Sequence, residues 1–557
     1  MTADPVTLQL INNSLLYASE EMGLALRNAA YSPNIKERMD HSAAIFDWEG
    51  RLLAQAEHIP VHLGSLPWGL KNMVEACRRE ALDLEEGSMV VANDPYITGT
   101  HLNDVTVVAP VYHGGEPVAF AVNKAHHSDV GGKVPGSISM DARTLFDEGF
   151  VLEPAYLMKD SKILDRTVER ISSASRTPQE RRGDLRAQVA ANVTGARRVG
   201  DLVSKYGLAN FKLAAAEAFR HSASMTRRRL SRIIPGVYTA SDFLEGLDGA
   251  ELELRAKVTV SLVGVEVDYG GTHGQVDYPL NAVFGVTLSG VYFVLRCLLG
   301  DDIPANHGAF AAVKVMAPAG CLLNPERPHP VGGGNVETSQ RNADVIFRAF
   351  SKAARLAVPA APGGSMNNVM VGGRFQGLQW AFYETIGVGL GGRADMDGID
   401  GIQCNMTNTM NTPIEELERS LPLRMTKYEF RPDSSGAGEH RGGSGLVRSY
   451  MALADGTTFT VLADRESHRP WGLFGGRPGR GTEVVLTRGG RSRRVPSKST
   501  LVLEAGDEVE IRTAGGGGYG LPSRRRASAV RDEVENQLLS RAQARLAYGR
   551  RIPKKGA

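Results

Sequence analysis

Apolar side chains recur at helical spacing along the first thirty residues of the chain. The apolar positions of this segment are Leu8, Ile11, Leu15, Met22 and Leu26. Intervals of three, four and seven residues place such side chains on one face of an α-helix. The pattern therefore predicts an amphipathic helix over Thr7–Ala30, which Pro33 brings to an end.

A different pattern follows between residues 93 and 133, where two apolar runs flank a glycine pair. The runs are Val105–Tyr112 and Pro117–Ala125, and Gly114-Gly115 lies between them. Because glycine tolerates positive φ, this arrangement predicts a β-hairpin. The strands are apolar on both faces, so we expect the hairpin to be buried in a layered core. A turn centred on the glycines would put Asp104 opposite Ala125.

Polar clusters lie at the two outer ends of these predicted strands. The first runs from His101 to Asp104, and the second is His126-His127-Ser128-Asp129. In a hairpin, the start of the first strand and the end of the second meet in space, so the clusters would converge. Two imidazoles and a carboxylate at one point form a ligand set for a divalent metal.

The rest of the chain alternates between helical and strand-like patterns, which predicts a mixed α+β, multi-domain fold. Helical patterns dominate Thr177–Arg232, Pro235-Gly236 interrupts them, and short strands with glycine turns follow Leu421. The last group indicates a β-sandwich or barrel-like unit. The predicted division is 1–235 for an N-terminal α/β domain with the buried hairpin and metal site, 236–420 for a central α/β domain, 421–522 for a β-rich domain, and 523–557 for a helical basic tail.

Composition and charge narrow the functional classes. A net charge of +2 on 557 residues gives no case for nucleic-acid binding. Four scattered cysteines without a CxxC pair argue against zinc fingers and disulfides. The N-terminus lacks a signal-peptide pattern, and the apolar run Ala282–Leu299 reads as a buried helix, so we expect a cytoplasmic protein. The chain has no Walker A, G-x-S-x-G or HExxH motif.

Three further features leave alternatives open. His58 and His62 are four residues apart, but Pro60 between them favours a loop, which would either line an irregular turn or form a wall beside the metal. The glycine-rich loop Val331–Asn335 precedes a predicted helix, where it could bind an anion or simply form a tight turn. Cys404 is a weak candidate for a nucleophile because no sequence feature pairs it with a base.

Several segments in the same order resemble the hydantoinase B/oxoprolinase family. They are IKERMDHSAAIFDWEGRLLAQAEHIPVHLGSLP, NDPYITGTHLNDVTVVAPVY, HHSDVGG, GGGNVETSQR, RPWGLFGGRPG and TAGGGGYG. The resemblance extends over roughly residues 5 to 525. The family includes the B-type subunits of ATP-dependent hydantoinases and 5-oxoprolinases, together with related carboxylase and caprolactamase subunits.

The resemblance implies a two-subunit reaction on a cyclic amide. An A-type partner subunit, not this chain, would bind ATP and phosphorylate the carbonyl of the substrate, and this chain would complete ring opening by water. In related acetone carboxylase subunits a His-x-x-Asp pair and a later histidine hold manganese. Those positions match His101, Asp104 and His126 here, and the ion would be Mn, Zn or Fe.

Further roles are assigned as predictions. His127 and Asp129 are candidates for the general base or for support of the metal ligands. The predicted substrate-binding residues are Glu37, Arg38, Asp40, His58 and His62. Two alternative functions stay open: a carboxylase subunit that joins an enol phosphate to carboxyphosphate, and a non-catalytic scaffold with a structural metal.

Overall fold

The computed structural model describes residues 4–56, 58–247, 249–354 and 357–553. The chain divides into two compact units. The first unit comprises Met1–Val237, Lys257–Gly270 and Gly274–Asn335, and the second comprises Tyr238–Ala256, Gly271–His273 and Val336–Ala557.

Helices and strands alternate through both units. The α-helices are α1 (Pro5–Ala29), α2 (Pro33–Lys36), α3 (His62–Arg79), α4 (Pro95–Thr98), α5 (Leu145–Glu148), α6 (Asp165–Ser172), α7 (Pro178–Tyr206), α8 (Leu208–Leu230), α9 (Phe284–Leu299), α10 (His307–Phe310), α11 (Ser339–Phe350), α12 (Ile414–Ser420), α13 (Ala527–Glu535) and α14 (Arg541–Tyr548). A π-helix over Gly334–Thr338 precedes α11, and a 3₁₀ turn covers Pro522–Arg524.

The strands form four sheets. They are β1 (His41–Asp47), β2 (Leu52–Ala56), β3 (Met89–Ala92), β4 (Asp104–His113), β5 (Glu116–His126), β6 (Ala155–Lys159), β7 (Lys162–Ile163), β8 (Gly236–Glu245), β9 (Glu251–Val260), β10 (Val265–Asp268), β11 (Val313–Met316), β12 (Asn368–Phe375), β13 (Leu378–Glu384), β14 (Leu423–Phe430), β15 (Leu446–Ala452), β16 (Thr457–Leu462), β17 (Glu483–Arg488), β18 (Arg491–Val495), β19 (Lys498–Leu503) and β20 (Glu508–Arg512).

The first unit is built around an antiparallel sheet of order β2-β1-β5-β4-β3-β6-β7. One face packs against α1, α7 and α8, and the buried side chains of α1 include Ile11, Leu15 and Met22. The other face packs against α3 through residues such as Phe120 and Leu70. The hairpin β4–β5 lies inside this sheet, as the sequence predicts, because both its faces are apolar.

The turn of the hairpin matches the prediction, but the register beyond it does not. Gly114 and Gly115 both have positive φ, at 61° and 80°. A β-bulge between Val111 and Tyr112 then shifts the pairing by one residue, and Asp104 pairs with His126 instead of Ala125. Because successive side chains of a strand point to opposite faces, this shift puts the Asp104 and His126 side chains on the same face.

A second sheet has the order β11-β10-β9-β8. Within the first unit, Val265–Asp268 pairs antiparallel with the end of β9 and parallel with Val313–Met316. Helix α9 follows and packs against α3, where the Ser289 hydroxyl accepts hydrogen bonds from the backbone of Gly64 and Ser65. In the described residues, no helix has both the length and the apolar character needed to cross a membrane.

The second unit contains a β-sandwich. Its sheets have the orders β13-β12-β16-β19 and β14-β15-β20-β17-β18. Side chains from both sheets meet in one core, among them Phe459 and Tyr450. Strands β12 and β13 precede residue 421, so the sandwich begins earlier in the chain than the sequence pattern indicates. The reason is that Asn368–Gly372 pairs with β16, a partner about ninety residues away that local pattern does not reveal.

Glycine-rich segments explain most of the clustered glycine content of the second unit. Segments around residues 387–392, 436–445, 472–479 and 515–518 pass so close together that they hydrogen-bond through their backbones. A Cβ on Gly516 would lie 2.0 Å from the Leu390 carbonyl oxygen, and one on Gly389 would lie 1.9 Å from that of Gly443. Only glycine permits this approach.

The mixed α+β, multi-domain architecture expected from the sequence is confirmed. The four-part division of the chain stays a prediction. The tail forms the two short helices α13 and α14 rather than one, and Gln537 between them has a positive φ of 61°. Residues 554–557 of the predicted basic tail lie outside the described residues.

Candidate metal centre

Three side chains converge at the open end of the hairpin. Asp104 begins β4, His126 ends β5, and His101 belongs to the turn that leads into β4. Asp104 Oδ1 lies 3.1 Å from both His101 Nε2 and His126 Nδ1, and the two imidazole nitrogens are 3.0 Å apart. All three residues are buried. Among the described histidines, cysteines and acids, these three form the one group with spacing suited to a metal ion.

The electrostatics of this cluster favour one positive charge between the three side chains. Burial acts to raise the pKa of Asp104, but His101 and the hydrogen bonds from the neighbouring imidazoles hold it well below its usual range. Burial acts to lower the pKa of His101, but the Asp104 carboxylate raises it above the ordinary value. Burial lowers the pKa of His126.

The donor set fits a divalent metal. A carbonyl oxygen only accepts, so His101 Nδ1–H donates to the Gly332 carbonyl at 3.3 Å, and neutral His101 turns the lone pair of Nε2 toward Asp104. Acceptor atoms that face each other at this distance need a cation between them. The three donor atoms lie 3.0–3.1 Å from one another, so all of them could bind the same ion.

His62 holds the other carboxylate oxygen of Asp104. It is the first residue of α3, and its Nε2 lies 3.4 Å from Asp104 Oδ2 while its Nδ1 lies 2.9 Å from the Ser42 hydroxyl. Burial lowers the pKa of His62. A hydroxyl proton donated by Ser42 would leave His62 Nε2–H to donate to Asp104, which keeps Oδ1 directed at the other two ligands.

His58 lies apart from His62. The two residues are separated by the turn at Pro60, as the sequence indicates, and His58 Nε2 lies 3.3 Å from Glu20 Oε2 of α1. The His58 ring also contacts the ring of His41, at 5.1 Å between centroids. Its predicted part in substrate binding stays a prediction, whereas His62 reaches the cluster.

The segment before β1 lies beside the cluster. Arg38 is fully buried, hydrogen-bonds the Asn34 side chain and lies 3.9 Å from Asp40. The Asp40 carbonyl accepts a hydrogen bond from the backbone N–H of His126, and its carboxylate acts to raise the pKa of His101. Glu37 is half-buried. Substrate contacts of Glu37, Arg38 and Asp40 stay predictions.

His127 and Asp129 have partners outside the three-residue cluster. His127 Nε2 lies 3.0 Å from Gln188 Oε1 of α7, because residues 126 and 127 point to opposite faces of the sheet. Burial lowers the pKa of His127 to about 4. Asp129 pairs with Arg176 at 3.0 Å and accepts backbone N–H groups of the loop around Gly131. These contacts are typical of residues that hold a loop, and the catalytic roles of both residues stay predictions.

Lys124 is a charged residue beside the cluster that the sequence reasoning missed. It is fully buried, and its Nζ donates to the Thr98 carbonyl at 2.8 Å and the Thr100 hydroxyl at 3.0 Å. Burial lowers its pKa to about 7, although Asp104 acts in the opposite direction. A lysine next to an asparagine in a largely apolar strand was the available signal, because lysine is almost never fully buried unless it is paired.

Comparison with known proteins defines the class to which this fold and site belong. The family model described as hydantoinase B/oxoprolinase matches residues 4–522. The chain therefore belongs to the hydantoinase B/oxoprolinase family, as the sequence segments predicted.

Individual relatives differ in how much of their length the chain spans. An uncharacterised protein of Methanocaldococcus jannaschii is 43% identical over 552 residues, which is 99% of this chain and 97% of the relative. A Pseudomonas sp. protein, named as the B-type subunit of a "Putative D-/L-hydantoinase", is 32% identical, with 98% and 95% covered. The 5-oxoprolinase 1 of Arabidopsis thaliana is 35% identical over 93% of this chain, but the chain spans 42% of that protein.

Two solved structures share the fold. The ATP-dependent caprolactamase from Pseudomonas jessenii superposes with a TM-score of 0.93 at 28% identity, covering 100% of this chain and 98% of that one. An acetone carboxylase structure gives a TM-score of 0.92 at 19% identity, covering 100% and 80%. The second likeness establishes the fold alone.

Proposed function

We propose that this chain is the B-type component of an ATP-dependent cyclic-amide hydrolase of the hydantoinase or 5-oxoprolinase kind. It would complete the ring opening of a substrate that an A-type partner subunit has phosphorylated. The observation that carries the proposal is the buried His101, Asp104 and His126 cluster in a chain of this family. The Pseudomonas relative, whose name describes one subunit of a hydantoinase, supports the dependence on a partner.

The chemistry of a cyclic amide explains why one subunit would phosphorylate the substrate and the other would open its ring. A cyclic amide is a poor electrophile, and phosphorylation of its carbonyl oxygen converts that oxygen into a leaving group. ATP would be bound by the partner, since this chain has no Walker A motif. In the remaining steps, water attacks the former carbonyl carbon, and the C–N bond breaks as the ring nitrogen takes up a proton, which leaves an acyl phosphate. A second water then hydrolyses the acyl phosphate to a carboxylate and inorganic phosphate.

In this proposal, His101, Asp104 and His126 hold a divalent ion, which would be Mn, Zn or Fe. Such an ion supplies Lewis acidity that lowers the pKa of water. His62 orients Asp104, and the burial of the cluster excludes bulk water from it. Asp40 and Arg38 belong to the segment predicted to line the substrate pocket, together with Glu37. His127 and Asp129 stay the candidates for a general base.

The test is lactam-dependent ATP hydrolysis by the reconstituted pair. The chain is co-purified with an A-type subunit and assayed with a panel that contains 5-oxoproline, hydantoin and caprolactam. We expect one of these cyclic amides to stimulate phosphate release and to be opened. His101→Ala should abolish ring opening, whereas His113→Ala at the turn of the same hairpin should have little effect.

Other outcomes would identify the alternative functions. Turnover that requires bicarbonate and forms a carbon–carbon bond would support a carboxylase. Undiminished ring opening in His101→Ala and Asp104→Asn would contradict a catalytic metal and favour a scaffold role. Metal analysis of the purified chain is the first measurement, because a folded chain that binds no divalent ion would contradict the proposed site.

A further inference from the structure

A buried carboxylate contacts the backbone segment that hydrogen-bonds His101. Glu148, the last residue of α5, is 1% exposed. Its Oε2 accepts the backbone N–H of Val331 at 3.0 Å, and its Oε1 accepts that of Gly332 at 2.7 Å. The glycine-rich loop, which the sequence left open between an anion site and a tight turn, therefore binds a carboxyl group that belongs to the chain itself.

The fit between Glu148 and Gly332 is close. A Cβ on Gly332 would lie 2.9 Å from Glu148 Oε1 and 3.4 Å from its Cδ. Helix α5 is itself held in place, since Thr144 and Asp147 form a capping box and Leu145 N–H donates to the Pro328 carbonyl at 2.8 Å. The position of the carboxylate is thus set by the helix as well as by the loop.

The other side of Gly332 faces the candidate metal centre. Its carbonyl oxygen accepts the hydrogen bond from His101 Nδ1–H at 3.3 Å. That bond determines which imidazole nitrogen carries the proton, and it leaves Nε2 for Asp104 and His126. Partners of this kind set the tautomer and ring orientation of metal-binding histidines.

We propose that Glu148 is a positioning residue of the metal centre. Its carboxylate fixes the Val331–Gly332 backbone, so that the Gly332 carbonyl holds His101 in the tautomer that directs Nε2 at the metal. This inference rests on the proposed metal-binding function. Glu148 touches neither the ligand atoms nor the substrate in this role, and it acts through one glycine.

Glu148→Gln tests the inference with a minimal change in shape. The amide has one acceptor oxygen, so one of the two backbone N–H groups loses its partner and faces an NH₂ group. We expect the affinity for Mn²⁺, measured by competition with a chelator, to fall about 10- to 100-fold. The EPR spectrum of bound Mn²⁺ should also change. Asp141→Asn, an acid-to-amide change at an exposed residue shortly before α5, is the control and should leave both unchanged.

Two further variants keep the inference testable if Glu148→Gln fails to fold. In Gly332→Ala, the added methyl group would push the Glu148 carboxylate away from the backbone N–H groups of Val331 and Gly332. This variant should therefore also weaken Mn²⁺ binding. Glu148→Asp keeps the charge and should recover part of the lost affinity. Circular dichroism and thermal unfolding of the metal-free chains identify the folded variants.

The outcomes separate this inference from the proposed function. Wild-type affinity and an unchanged EPR spectrum in a folded Glu148→Gln or Gly332→Ala chain would overturn the role of Glu148 and leave the metal site standing. A wild-type chain that binds no Mn²⁺, Zn²⁺ or Fe²⁺ would overturn the metal function and this inference together.

Discussion

Asp104 organises the candidate metal centre at the scale of single residues. One of its oxygens faces His101 and His126, and the other accepts from His62. Its pKa is held well below the ordinary range despite full burial, so its carboxylate is ionised at neutral pH. A buried carboxylate of this kind needs partners of positive charge, and a metal ion would supply one.

His62→Gln tests the contact with the second oxygen of Asp104. A glutamine would not bridge the Ser42 hydroxyl and the Asp104 carboxylate as the imidazole does, so the Asp104 carboxylate would turn more freely. We expect metal affinity to fall about 10- to 100-fold, measured by chelator competition. His221→Gln, on the exposed face of α8, is the control. Equal affinities in the two variants would mean that His62 does not hold Asp104.

His41 makes stability depend on pH. Burial, followed by the neighbouring His58, lowers its folded-state pKa to about 3. Between about pH 6.5 and pH 3 the unfolded chain therefore binds a proton that the folded chain excludes, and stability falls as pH falls through this range. The contribution of this one residue between pH 7 and pH 5 is about 2 kcal/mol.

The measurement is denaturant unfolding of wild type and His41→Gln at pH 7 and pH 5. The variant should lose about 2 kcal/mol less than wild type over this interval. His221→Gln, a change at an exposed residue of α8, is the control. An identical pH dependence in wild type and His41→Gln would contradict the assignment.

At the scale of elements, the hairpin β4–β5 decides which side chains share a site. Its bulge beside Val111 converts a pairing of Asp104 with Ala125 into a pairing with His126. A shift of one residue exchanges the two faces of a strand, so the bulge brings the carboxylate and the imidazole together. It also sends His127 to the side of α7.

Helix α7 fastens the hairpin through a buried amide. Gln188 Nε2 donates to the Val105 carbonyl and to Asn123 Oδ1, both at 2.9 Å. Gln188→Ala would leave these acceptors and His127 without this partner inside the core. Each unsatisfied group costs about 1–3 kcal/mol, so we expect the free energy of unfolding to drop by several kcal/mol. Gln179→Ala, exposed on the same helix, should change it little, and urea unfolding compares the two.

At the scale of the whole chain, the two compact units are stabilised by different kinds of packing. The first unit covers both faces of an antiparallel sheet with apolar helices. The second combines a β-sandwich with glycine-rich segments whose backbones touch directly.

Gly516→Ala tests the glycine packing. The added methyl would lie 2.0 Å from the Leu390 carbonyl oxygen, a backbone atom that cannot turn aside. We expect the variant to unfold at a much lower temperature or to be degraded during expression. Gly373→Ala is the control in the same unit, since its methyl would meet its nearest neighbour at 3.5 Å. Equal thermal stability of the two variants would show that the segments separate easily.

Local patterns in the sequence were sufficient for much of this structure. Apolar spacing predicted α1, the glycine pair predicted the turn of the hairpin, and polar clusters at the strand ends predicted that His101, Asp104 and His126 would converge. These features depend on residues that are near each other in the chain or joined by one turn. Several sequence segments predicted membership of the hydantoinase B/oxoprolinase family, which the match over residues 4–522 confirms.

Only the tertiary structure decided on which face of each strand the candidate ligands lie and which residues hydrogen-bond them. The bulge that pairs Asp104 with His126 lies between Val111 and Tyr112, and the glycine turn does not specify it. His62 reaches Asp104 of β4 from helix α3, and Gly332 reaches His101 across 231 residues of sequence. Contacts of such separation depend on how layers pack, and packing is a property of the whole fold rather than of any local pattern.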